Sequence, residues 1–100
     1  MMKKIVTKFL WVSLFLIANV AAAGTERILS NDALKGFNEE YLPAKTNKAF
    51  AQSSSGAWGW VSDLTSRKHA ILGAIAQCKQ YLEKGEPACK VINVNGKWAK

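Results

Sequence analysis

The spacing of apolar residues changes several times along this chain, and each spacing predicts an element. Residues 9–20 are almost wholly apolar, a run of about a dozen that is shorter than the roughly 20 residues needed to span a bilayer core. Ser30, Asn31 and Asp32 then offer three successive helix caps. Leu34, Phe37 and Tyr41 follow at helical spacing, and Pro43 stops the run, which predicts a short helix over residues 32–42 weakened by Gly36. Residues 48–52 (K-A-F-A-Q) and 57–61 (A-W-G-W-V) read as two strands joined by the Ser53-Ser54-Ser55-Gly56 turn. The strongest periodic signal comes next. Ile71, Ala74, Ile75, Cys78, Tyr81 and Leu82 form one buried face of a helix over residues 67–84, capped by Thr65 or Ser66 and closed by Gly85 and Pro87. Residues 89–94 (C-K-V-I-N-V) are a third strand, after which Asn95-Gly96 begins a turn with Lys97-Trp98 beyond it. Residues 24–29 read as a frayed start.

The predicted fold class is α+β: a short N-terminal helix, then ββαβ, with a three-stranded antiparallel sheet and one long helix on one face. Alternation along the second strand puts Trp58 and Trp60 on the same side and Gly59 on the other, where its missing side chain leaves room for the long helix. Trp58 and Trp60 would then face away from that helix. Either the N-terminal helix folds over them or they form an open aromatic surface, joined by Trp98.

Charge and composition define the ends of the domain. Lys3, Lys4 and Lys8 precede the apolar run, and Ala21, Ala22, Ala23 and Gly24 follow it. A basic start, a short apolar stretch and an A-x-A site make residues 1–23 a cleavable secretory signal peptide. The expected organisation is therefore 1–23 signal peptide, 24–47 N-terminal segment with the short helix, and 48–100 a disulfide-stapled ββαβ domain. Three of the 14 basic residues and none of the seven acids lie in the signal segment, so the remaining 77 residues carry a net +4. That mild excess, without basic runs interleaved with aromatics, argues against nucleic-acid binding. The membrane is contacted only through the signal peptide before cleavage. An exported chain meets an oxidising compartment, and its two cysteines, Cys78 and Cys89, allow one intramolecular disulfide. The expected location is periplasmic or secreted.

Candidate chemistry is sparse. His69 is the only histidine, and no nucleophile or orienting acid is fixed beside it. Cys78, Cys89 and His69 are too few for a zinc site once the cysteines are oxidised. Glu39 and Glu40 are adjacent on a helix, so their side chains diverge. The cysteines are not in a C-x-x-C motif, and no Gly-rich phosphate loop is present. No catalytic residue, metal or cofactor is expected.

The run K-A-F-A-Q-S-S-S-G-A-W-G-W over residues 48–60, the helical Ala70, Ala74 and Cys78, and the closing C-K-V-I-N-V-N-G-K-W over residues 89–98 resemble a family of small exported proteobacterial proteins of unknown function. The segment D-A-L-K-G-F, residues 32–37, resembles the leader that precedes that module. The resemblance implies an exported module of this layout and brings no catalytic residues. Taken together, these features predict a non-enzymatic exported module. It would bind an envelope protein, peptide or glycan, or a second copy of itself, through an aromatic sheet face of Trp58, Trp60 and Trp98. The alternatives are a secreted effector or enzyme inhibitor and, further off, a small hydrolase centred on His69.

Overall fold

The computed structural model describes residues 24–100; the predicted signal segment lies outside the described residues. A 3-10 turn, Thr25–Arg27, opens this part of the chain. Helix α1, Asn31–Gly36, runs on as a π-helical turn over Phe37–Tyr41, closed by the Leu42 amide donating to the Phe37 carbonyl at 3.0 Å. Strands β1 (Ala49–Gln52) and β2 (Trp58–Val61) precede helix α2 (Arg67–Lys79), and strands β3 (Lys90–Val94) and β4 (Lys97–Trp98) follow it. The sheet is antiparallel throughout, in the order β2-β1-β3-β4.

The fold class is therefore α+β, with four strands where three were expected. The fourth comes from the Asn95-Gly96 turn. Both residues take positive φ, 52° and 85°, the conformation a tight two-residue hairpin needs. The chain then folds straight back, and Trp98 pairs with Asn93.

Among the cap candidates of α1, Ser30 accepts from the Ala33 amide at 3.1 Å. The stripe it buries is Ala33, Gly36, Phe37 and Tyr41. Gly36 is thus a contact rather than a weakness: a Cβ there would stand 2.8 Å from the Trp58 ring.

α2 ends at Lys79, before its apolar period does at Leu82. Past Lys79 the bonds tighten to i→i−3, from the Tyr81 amide to the Cys78 carbonyl and from Leu82 to Lys79. Gly85 consequently sits in a separate turn rather than closing the helix. The buried seam of α2 is narrow and small: Ala70, Ala74 and Cys78. Small residues let it lie close to the sheet, where Ala49 and Ala51 meet it. At Gly59 the approach is closest, since a Cβ would come within 2.6 Å of the Cys78 backbone nitrogen. Cys78 and Cys89 form the disulfide, with Cα atoms 6.1 Å apart. It ties α2 to the residue before β3.

The other face of the sheet carries α1. Phe37, Tyr41 and Phe50 are fully or almost fully buried there. Trp58, Trp60, Trp98 and Ile92 pack around them. A bulge in the β1–β3 register, between Phe50 and Ala51, lets Ile92 join this side.

Residues 24–29 are held rather than frayed. The Gln52 amide clamps them, accepting from the Leu29 amide at 3.0 Å and donating to the Arg27 carbonyl at 2.8 Å. The Arg27 guanidinium also lies 5.4 Å over the Trp98 ring.

Candidate functional site

The structure divides the three tryptophans of the predicted binding face. Trp58 and Trp60 stand on β2, at one edge of the sheet, and Trp98 on β4, at the other. α1 packs between them, so the centre of that face is a closed aromatic core. Phe50 stacks on Trp58 with centroids 5.6 Å apart, Tyr41 meets Trp60 edge-on at 6.0 Å, and Phe37 stacks on Trp98 at 5.0 Å. All three indoles are half-buried: one side of each belongs to the core and an edge remains at the surface.

At the β2 edge those exposed parts border an open groove of about 580 Å³. Ala57, Trp58, Gly59 and Trp60 of β2 and its approach line it, with Gln77 and Tyr81 from the end of α2 and Glu83 and Glu86 from the loop that follows. Tyr81 reaches it because α2 has already ended; its side chain is 65 % exposed instead of lying on the predicted buried face. The loop carrying Glu83 and Glu86 is fixed from both sides. Cys89 anchors it through the disulfide, and the Ser53 hydroxyl donates to the Pro87 carbonyl at 2.7 Å. Ser53, read from sequence as a turn residue, is fully buried.

The backbone of β2 adds a hydrogen-bonding edge with which no strand among the described residues pairs. The Ser53 amide donates to the Ala57 carbonyl at 2.8 Å, which sets the alternation of the β1–β2 ladder. Ala57, Gly59 and Val61 therefore turn their amides and carbonyls towards β1. Trp58 and Trp60 turn theirs outward, into the groove.

Trp98 lines a smaller cleft of about 280 Å³ with Arg67 and Lys97. His69 sits exposed in the first turn of α2, its Nδ1 2.7 Å from the Thr65 hydroxyl. Glu39 and Glu40 are exposed on the outer side of the π turn. Among the described residues no three His, Cys, Asp or Glu side chains are grouped to hold a metal ion.

Several polar residues matter that the pattern of the sequence did not single out. Lys48 is 5 % exposed, and its ammonium donates to the carbonyls of Tyr41 at 3.0 Å, Leu42 at 2.6 Å and Ala44 at 2.9 Å. It thereby satisfies carbonyls that the end of a helix leaves open. Burial lowers its pKa from the ordinary lysine value. The Tyr41 hydroxyl donates to Asn93 Oδ1 at 2.8 Å, and burial pushes the phenol up to about 12 against lowering contributions from the Gly96 and Asn95 backbone. Asn93 Nδ2 is buried with no hydrogen-bond partner among the described residues. These groups fix α1 on the sheet and hence the inner sides of the indoles.

No protein-family model matches the chain, and no curated protein or solved structure matches it either. The disulfide suits a location outside the cytoplasm. No helix among the described residues is long and apolar enough to cross a membrane.

Proposed function

We propose that this protein is a non-enzymatic module of the exported family it resembles, working in the periplasm or outside the cell. It binds another macromolecule through the groove beside β2. The observation that carries this reading is the meeting, in one groove, of two half-buried indoles, an exposed tyrosine and an unpaired strand edge. Rigid aromatics that offer a surface edge while their bodies stay packed are typical anchors of recognition sites. Relative to the face expected from the sequence, the binding surface is narrower: Trp58 and Trp60 belong to it, and Trp98 stays with the opposite edge.

A photo-crosslinking residue in place of Tyr81, compared with one in place of Leu72 (56 % exposed), tests the reading in cells that export the protein. A discrete adduct from position 81 and none from position 72 is the expected outcome. Absence of any adduct at 81, or a measurable turnover abolished by His69→Ala, would overturn it.

A further inference from the structure

We propose that the occupant of the β2 groove is an extended basic peptide segment, which adds as a fifth strand beside β2. This rests on the binding reading above and names its ligand. The two ends of the sheet differ in a way that selects the site. Proteins commonly blunt an exposed edge with short strands, lysines, prolines or bulges. β4 follows that rule: it is two residues long and one of them is Lys97. β2 does not. It is four residues, W-G-W-V, with no charge and no proline. Its outward amides and carbonyls at Trp58 and Trp60 offer two donors and two acceptors in the strand-addition geometry, where main-chain bonds supply affinity and flanking pockets supply selectivity.

The charge of the groove selects the peptide. Among the described residues, Glu83 and Glu86 are its only ionisable lining residues apart from the Tyr81 phenol, although residues 24–100 are net basic. A lysine or arginine at alternate positions of an added strand would reach them on the α2 side, beside Tyr81, while the apolar residues between them meet Trp58 and Trp60 on the α1 side. A second copy of this chain fits less well, because residues 53–62, which its own β2 edge would bring, contain no cation.

The test titrates the oxidised protein with the peptide Ac-TVKVKVT-NH2, its glutamate counterpart Ac-TVEVEVT-NH2, and versions of the lysine peptide N-methylated at one or the other alternating set of amides. Amide NMR shifts report the site. The lysine peptide is expected to shift Trp58, Trp60 and Tyr81 and to bind about tenfold more tightly than the glutamate peptide, as two rim charge pairs allow. Methylating the set that faces β2 is expected to weaken binding by about tenfold, the loss of two backbone bonds, while methylating the other set leaves it intact. The double variant E83Q/E86Q should fold normally, both residues being exposed, and lose most of the preference for lysine. Equal binding of both peptides, or indifference to which set is methylated, overturns the proposal. So does a dimer of the free protein that shifts Trp58 and Trp60 on dilution. If every peptide is silent while the crosslinker at position 81 still captures a macromolecule, the binding reading stands and the peptide proposal falls. If both are silent, both fall.

Discussion

One sheet supports two packing solutions in this protein, and they are opposites. On the α2 side the centre of the contact is alanines, a glycine and the disulfide, with Val94 and a rim of half-buried aliphatics such as Ile71, Ile75 and Val91 around it. On the α1 side they are phenylalanines, a tyrosine and tryptophans. β1 shows the division within four residues: Ala49 and Ala51 face α2, and Phe50 and Gln52 face the N-terminal segment. Small side chains at the seam bring α2 almost onto the backbone of β2, and a covalent staple holds it there. Large rings bury more area at greater distance and need polar pins, Lys48, Gln52 and the Tyr41–Asn93 pair, to fix one arrangement. A domain of this size has a small margin of stability, and each face supplies part of what the other lacks.

Truncating a ring on the aromatic side gives the largest expected effect. Phe37→Ala removes a buried ring that touches Tyr41, Phe50 and Trp98, and is expected to cost about 3–5 kcal/mol in denaturant unfolding. A cost below about 1 kcal/mol would mean that α1 is not part of the cooperative fold. On the opposite side, C78A/C89A is expected to cost about 3 kcal/mol, from a loop closed over a sequence separation of 11. Tryptophan emission should follow the same midpoint as backbone circular dichroism. Separate midpoints would show that the two faces melt independently. Gly59→Ala is expected to cost about 1–3 kcal/mol by overpacking against the backbone of Gln77 and Cys78, measured by thermal melting. No loss at Gly59 would mean that α2 can lift off β2 freely.

The smallest effect concerns Tyr41. At neutral pH, Tyr41→Phe is expected to cost about 1–2 kcal/mol, because Asn93 loses its partner in a buried site. The wild type should also weaken in alkali. The folded state holds the phenol proton more tightly than the unfolded chain. Its contribution is therefore complete below pH 10.0 and is lost as pH rises towards about 12. Lys48 acts in the other direction: its lowered folded pKa adds stability as pH rises towards the free value of 10.5. Above that value the loss from Tyr41 stands alone, and urea midpoints of Tyr41→Phe should lack it.

Much of this layout is legible in the residues. The helix over Arg67–Lys79, the Ala49–Gln52 and Trp58–Val61 hairpin, the cysteine pair and the side on which Gly59 meets α2 all follow from periodicity and turn chemistry. The end of α2 did not follow, because Tyr81 and Leu82 continue the apolar period although the backbone has already turned away. That early ending is what exposes Tyr81 to the groove. Lys48 and Gln52 looked like ordinary strand residues, since nothing local says that a lysine will find three helix carbonyls or that a glutamine will clamp a segment more than 20 residues away.

By itself the sequence determined the local elements, the alternation that sorts Trp58 and Trp60 from Gly59, and the single pairing open to Cys78 and Cys89. These depend on interactions between near neighbours or on simple counting. Tertiary structure alone decided that α1 closes the second face, that Trp98 lies at the far edge from Trp58 and Trp60, and that β2 is left as an open edge beside Glu83 and Glu86. Strand order and helix docking depend on contacts between residues distant in the chain, and no local spacing encodes which edge of a sheet remains unpaired.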